Sequence, residues 1–438
     1  MGLFDATMIV MGGIIGSGIF INPYVVAQHL EDPLLILGAW AMGGLIALAG
    51  AFIYAELAVL RPDVGGQYAY IREALHPSIA FIYGWTLLLV VQSGGMAAVA
   101  ITFARYFLDL THVGIADWAV AAIALGALTL INCLGVRSGS SVQSALMVLK
   151  ILAIVALIIC GLTVNWESSP LSGSLPADTA APAKVEASII ASFGAAMVPV
   201  LFAYGGWQNS GFVAGEMRQP KRDLPLGLLI GVIGVIVLYL LVNFVCLHVL
   251  GPEGLAKTST PASEVMSLAL GDTGRRIIAV GIAISTLGFL SGGMLTAPRV
   301  YFAMAEDGLF FKSVGWLHPR MRVPVVAIVL QGTLAVVIAV SGRYEQILNY
   351  VVSVDSIFFG LTAACLFSLR KRAVVPKSEG RIYALKVSSV GIILFIVAEW
   401  LVAANAIYKD PGNSGIGLGI LLAGIPVYVF WRRRNANG

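Results

Sequence analysis

Long apolar runs fill almost the whole chain. A helix needs about 20 mostly apolar residues to cross a bilayer, and roughly twelve such stretches can be drawn. They fall near 5–29, 34–60, 79–108, 116–135, 141–164, 187–214, 226–250, 274–304, 323–341, 345–370, 384–407 and 414–431. Only 11% of the 438 residues are charged and 58% are hydrophobic, whereas soluble domains carry roughly 25% charged residues. The sequence predicts an all-α integral membrane protein with no soluble domain of useful size.

Charge placement predicts the orientation. With a cytoplasmic N-terminus, seventeen Lys and Arg fall in inner loops and at the C-terminus, among them Arg61, Arg72, Arg137, Arg218, Arg370 and Arg432. Six fall in outer loops, among them Lys184, Lys257 and Arg343. The positive-inside rule then places both termini in the cytoplasm of a multi-pass cell (plasma) membrane protein. The first apolar segment lacks a basic leader and a clear cleavage site, so it reads as a span that stays in place. Two polar connections, 165–187 and 251–273, are expected outside, the second with short surface helices. Cys133, Cys160, Cys246 and Cys365 lie far apart in apolar stretches, and the five histidines are scattered. No metal and no cofactor are expected.

Span one carries G-I-I-G-S-G-I-F, Gly13 to Phe20, at its centre. Each glycine costs about 1 kcal/mol in a helix interior. Two explanations stay open: a close packing face, or irregular backbone lining a cavity. Span six repeats the feature, with Pro199 and then Gly205-Gly206 flanked by Tyr204 and Trp207. Interruptions at matching positions in two halves mark the binding site of many transporters. Spans one to five (about 5–164) and six to ten (about 187–370) are then expected as inverted repeats. Two further helices (about 384–431) are added outside, within one transporter domain, 1–438. A dinucleotide fingerprint does not fit, because the glycine order is wrong and no strand–turn–helix unit surrounds it.

Unwinding exposes backbone. Amides at the start of a half-helix, aided by its dipole, can hold a carboxylate. Gly16, Ser17 and Gly18 are placed for that. Freed carbonyls near Ile14, with those of Phe202, Ala203 and Gly205, can accept from an ammonium. A carboxylate site beside an ammonium site describes an α-amino acid.

Lys150 sits about ten residues into span five, roughly 15 Å deep at 1.5 Å per residue. Intramembrane charges are functional candidates that face the interior. Lys150 either ties helices together or acts near the span-one carbonyls, as a fixed cation in place of Na⁺ or as a proton carrier. Asp355 in span ten could meet a substrate amine or a proton, or bond within the bundle. Glu399 reads as structural or interfacial, near the outer end of span eleven. Glu56 is expected to pair locally.

Together G-I-I-G-S-G-I-F, Y-A-E-L with P-D-V-G-G-Q-Y-A-Y, F-A-Y-G-G-W and A-P-R-V-Y-F-A-M-A-E-D-G resemble the amino acid–polyamine–organocation (APC) superfamily. Within it the chain is similar to the bacterial L-type amino acid transporters, over nearly its whole length. The resemblance implies alternating access with five-plus-five repeats and broken helices one and six. It implies carboxylate contacts at Gly16, Ser17 and Gly18, and amine contacts at Ile14, Phe202 and Gly205. Phe202 resembles an aromatic that closes over substrate, and Lys150 a lysine in the sodium-site region of Na⁺-independent relatives. The family's animal members join a glycoprotein through a cysteine after span three; Tyr106 to Asp117 holds no cysteine, so no disulfide-linked subunit is expected. Gly13, where a hydroxyl residue is common, and Gln208-Asn209 depart from the family and bear on selectivity. Gln92, Ser93, Ser285 and Phe358 are pocket candidates beside Asp355.

The expected function is Na⁺-independent transport of L-amino acids, as exchange of neutral ones. A proton-coupled symporter, or a carrier of cationic amino acids or polyamines, stands as the alternative. An enzyme would need a nucleophile–base or metal constellation, and none is visible. The expected partners are a small L-amino acid and the bilayer, not nucleic acid.

Overall fold

The computed structural model describes residues 2–61, 66–134, 140–164, 183–320, 323–372 and 386–436. Most of the connection 165–187, residues 62–65 of the P-D-V-G-G stretch, and Arg137, Lys377 and Arg381 lie outside the described residues. Every regular element described is helical. Nine helical segments are long and apolar enough to cross a membrane, and three shorter apolar helices, Asp117–Cys133, Met147–Leu162 and Val325–Ser341, complete the set among the described residues.

In chain order, span one is α1 (Leu3–Ile14) and α2 (Gly18–Ala27), span two is α3 (Pro33–Leu60), and a short α4 (Gly66–Ala74) follows. Span three is α5 (Pro77–Thr86), a π-helical turn (Leu87–Gln92) and α6 (Ser93–Thr111). Spans four to six are α7 (Asp117–Cys133), α8 (Ser140–Leu162) and α9 (Ala183–Tyr204), the last running into a 3₁₀ segment, Trp207–Glu216. Then come α10 (Pro220–Leu255), α11 (Pro261–Thr296), the short α12 (Pro298–Glu306), α13 (Val325–Ser341), α14 (Tyr344–Arg372), α15 (Ser389–Lys409) and α16 (Pro411–Ala436).

Local chemistry sets the ends of these helices. Pro33 opens α3 behind an Asp32 cap whose Oδ1 accepts from the Leu34 amide at 2.7 Å, since proline suits the first turn, where N–H groups lack partners. Gly251 (φ 66°) and Gly271 (φ 65°) take left-handed conformations inside α10 and α11. They set off 261–270 as a short helix before the span proper, as expected for 251–273.

The exterior is apolar. Leu45, Ile123, Leu130, Ile190, Leu394 and Leu401 are between 61% and 74% exposed, which suits a lipid solvent and not water. Inside, α1, α3, α9 and α10 pack as one group, and α6, α7, α11 and α13 as another. Helix α8 leans on α1, α10 and α11, while α14 touches α3, α6 and α9 and backs onto α15 and α16.

Polar ties close both ends. On the face that carries the termini, Arg370 donates to both oxygens of Glu56 (2.7 and 2.6 Å) and to the Val387 carbonyl. The expectation that Glu56 pairs locally is therefore corrected: the end of α3 faces the end of α14, 314 positions away. Nearby, Tyr68 donates to Asp307 at 2.7 Å, and Arg72 pairs with the same carboxylate. Burial, and then the Asp307 carboxylate, push the Tyr68 hydroxyl above its ordinary pKa, so it stays a donor. On the opposite face, Tyr344 donates to Asn22 at 2.7 Å, and Asn22 donates to the Pro199 carbonyl at 2.6 Å. That pair of bonds joins α14, α2 and α9.

Candidate functional site

Between these layers the chain is interrupted twice, at Ile15–Ser17 and at Gly205–Gly206. The first break is a tight turn. Ile15 has φ −72° and ψ 77°, close to an inverse γ-turn, and the Gly16 amide donates to the Ile14 carbonyl at 2.7 Å. Gly16 was expected to offer a free amide; the turn consumes it. The amides of Ser17 and Gly18, at the start of α2, find no acceptor among the described residues, as the first N–H groups of a helix must. The Ser17 hydroxyl is also buried without a hydrogen-bond partner among the described residues. The neighbouring Tyr344 hydroxyl is turned to Asn22 instead.

The second break follows α9, which runs unbroken through Pro199 to Tyr204. Gly206 adopts φ 102°, a conformation that favours glycine, and its amide donates to the Gln208 side chain at 2.8 Å. The chain then continues as a 3₁₀ segment. Trp207 is wedged against Tyr54 (ring centroids 4.6 Å) and stacked on Phe359 (5.2 Å).

The two breaks touch backbone to backbone. A Cβ on Gly13 would lie 2.7 Å from the Gly206 carbonyl oxygen, and one on Gly18 would lie 2.6 Å from the Ala203 Cα. The packing explanation thus holds for Gly13 and Gly18, alongside the break itself. A hydroxyl residue at 13 would not fit here. Gly16 faces the Phe289 ring, 3.2 Å from where its Cβ would stand. Tyr239, on α10, places its hydroxyl 3.1 Å from the Ile14 carbonyl and 3.2 Å from the Ala203 carbonyl. It bridges the breaks, and no local motif announced it.

A cavity of about 100 Å³ opens at this junction. Ile14, Gly16, Ser17, Gly18, Phe202 and Gly205 line it, with Gln92 and Asp355. Ala203 does not; it is buried against Gly18. Ser93 and Phe358 do not line it either. Each residue turns a helix by about 100°, so Gln92 and Phe359 face the cavity while Ser93 and Phe358 point away. Ser93 donates to the Leu88 carbonyl (2.6 Å), and Phe358 packs on Tyr83 (5.3 Å). Gln92 closes the π-helical turn, a feature common at functional sites.

Ser285 belongs to a second cavity of about 80 Å³. Gly13, Gln92, Asn209 and Phe289 line both cavities and form the partition. Lys150 lines the second, 7% exposed. Its ammonium donates to the Ile15 carbonyl at 2.5 Å and sits 5.9 Å from the Phe289 ring centre. Glu399 departs from expectation. It lies midway along α15, buried at 4% exposure, and lines the main cavity. The span drawn at 384–407 began too early; counted from Ser389, position 399 is central.

An all-helical bundle in lipid, with a central cavity between two interrupted helices, defines a membrane transporter. Residues 1–430 match the sequence model of the amino acid permease family, and the chain belongs to that family, within the APC superfamily. The chain is 31% identical to the serine/threonine exchanger SteT of Bacillus subtilis (strain 168), over 100% of this chain and 98% of that one. It is 29% identical to the large neutral amino acids transporter small subunit 2 of Mus musculus (99% and 82%). It is 30% identical to the b(0,+)-type amino acid transporter 1 of Oryctolagus cuniculus (84% and 76%). These relatives are named as transporters or exchangers, not enzymes. Amino acid transport by exchange fits both the family and the relatives.

Proposed function

We propose that the chain exchanges neutral L-amino acids across the cell membrane, without Na⁺, at the main cavity. The observation that carries this reading is the pair of free amides at Ser17 and Gly18, which open onto the cavity at the start of α2. They receive the substrate carboxylate, the Ser17 hydroxyl adds a third donor, and Gly16 leaves room for approach. The carbonyls of Ile14 and Phe202, backed by Gly205, accept from the substrate ammonium; the Ile14 oxygen also takes the Gly16 amide and shares the Tyr239 hydroxyl with Ala203, so the single Tyr239 proton turns to Ala203 when the ammonium binds. Lys150 stands where a coupling cation would serve, holding the Ile15 carbonyl.

Spans one to five and six to ten act as inverted repeats, and each packed group of four helices draws two spans from each half. Both termini face the cytoplasm, a reading that the excess of Lys and Arg in the loops on that side supports. Names of relatives support the substrate class, since they cover serine, threonine and large neutral amino acids.

The test is uptake into proteoliposomes. A labelled neutral amino acid should enter only when unlabelled amino acid is inside, and removing Na⁺ should leave the rate unchanged. Strict dependence on Na⁺ would sink the reading of Lys150, and pH-driven uptake into empty vesicles would favour proton symport. Ser17→Tyr, which fills the cavity, should abolish binding; unchanged affinity would place the site elsewhere.

A further inference from the structure

On the face that carries the termini, the connection between α12 and α13 meets the end of α16. Phe311 stands edge-on to Trp431 (ring centroids 5.0 Å), with Phe310 and Phe430 beside them (5.4 and 5.8 Å). Lys312 directly follows Phe311, and Arg432 and Arg433 follow Trp431, so three cations leave the backbone around one aromatic contact. All three are exposed, and none has an ion-pair partner among the described residues. Arg61, Arg72 and Arg370, on the same face, are each paired with a carboxylate. Of the two acids leading into the connection, Asp307 is taken by Tyr68 and Arg72, and Glu306 is exposed. The patch is net positive.

Its apolar surface runs into the bilayer. Phe311, Trp316, Leu317 and Phe430 are between 41% and 59% exposed. Along α16, Leu422, Ile425 and Val429 are exposed as well. Their spacing continues to Arg432 and Arg433, so one outward stripe of the helix is apolar and ends in two cations. The positive-inside bias accounts for cations on this face, but not for their gathering on an aromatic cluster built from two distant segments. We propose that Lys312, Arg432 and Arg433 bind the phosphate headgroup of an anionic phospholipid, with an acyl chain along the Leu422–Ile425–Val429 stripe. The rings settle at headgroup level. Lys312 meets the phosphate as a point charge, and an arginine can meet it through two parallel hydrogen bonds. The same connection begins at Asp307, which holds Tyr68 and Arg72 of α4, so a bound headgroup steadies this end of the bundle.

The experiment titrates the full chain in neutral detergent with phosphatidylglycerol or phosphatidylcholine and reads the melting temperature. Phosphatidylglycerol should raise it and phosphatidylcholine should not. Lys312→Gln and Arg432→Gln should each raise the half-saturating phosphatidylglycerol concentration about fivefold, as loss of one basic residue near an anionic lipid predicts. Phe311→Ala, which keeps every charge, should raise it too. Lys371→Gln removes an exposed cation at the end of α14 and should leave it unchanged. Equal effects of the two lipids on wild-type protein overturn the site. A change in Lys371→Gln as large as in Arg432→Gln also overturns it, because a diffuse field would then suffice. Inorganic phosphate that stabilises wild-type protein as well as the lipid does overturns the lipid assignment. The wild-type comparison decides the matter even where a variant fails to fold.

Discussion

The ammonium of Lys150 donates to the carbonyl of Ile15 at 2.5 Å, joining residues 135 positions apart. Ile15 is the centre of the turn that breaks span one, so α8 grips the break itself and not a neighbouring helix face. A hydrogen bond to a charged group contributes about 1.5–3 kcal/mol. Any rearrangement of the turn must carry α8 with it or release that bond.

Lys150→Met keeps an unbranched, mostly apolar side chain and removes the donor. Initial rates of amino acid exchange in proteoliposomes should fall by about tenfold or more, as loss of roughly 1.4 kcal/mol predicts. Thermal unfolding in detergent checks that the protein still folds. An unchanged rate would leave Lys150 a packing residue.

What the sequence disclosed follows from what is local. Spans show as runs of apolar residues, and breaks show as glycines, so G-I-I-G-S-G-I-F and Y-G-G-W could be placed before any contact was known. Partners from distant segments leave no such trace. Tyr239 sits in V-L-Y-L-L like any aromatic of an apolar helix, yet its hydroxyl reaches both breaks. Arg370 looked like one of a basic trio ending a span, yet it clasps Glu56. Ser93 and Phe358 were each one residue from a cavity-lining position, and one residue is about 100° of helix. Glu399 was misjudged because its depth depends on where α15 begins.

Tyr239→Phe tests the bridge between the breaks. The ring packs among Trp40 (centroids 5.8 Å) and Tyr204 (5.1 Å) and should stay there. Only the hydroxyl is lost, leaving the Ile14 carbonyl with the Gly16 amide and the Ala203 carbonyl short of its side-chain donor, at a cost of about 1–3 kcal/mol. Exchange should slow by roughly fivefold or more on that scale. A variant equal to wild type in rate and melting temperature would show that the bridge is dispensable.

Gly206→Ala addresses the backbone contact. Its Cβ would stand 2.0 Å from the Gly13 carbonyl oxygen, at a φ of 102° that side chains rarely adopt. Overpacking of about 1–3 kcal/mol and backbone strain of about 1–3 kcal/mol add, so the melting temperature should drop clearly. Gly38→Ala, with nothing within 4 Å of the added atom, should be neutral or mildly stabilising. Equal melting temperatures for the two variants would contradict the close approach of the breaks.

Arg370→Gln breaks a tie that holds three elements together. Arg370 and Glu56 are 17% and 12% exposed, and the same Glu56 carboxylate accepts from the Val387 amide at 2.9 Å. Removing the cation leaves Glu56 charged and nearly buried beside one amide donor, a loss of about 3 kcal/mol on the scale of buried pairs. The melting temperature should fall, and adding Glu56→Gln should restore part of it, because two neutral amides do not leave an unpaired charge. A double variant no more stable than Arg370→Gln alone would mean that packing at the α3–α14 junction, and not the ion pair, sets stability on this face.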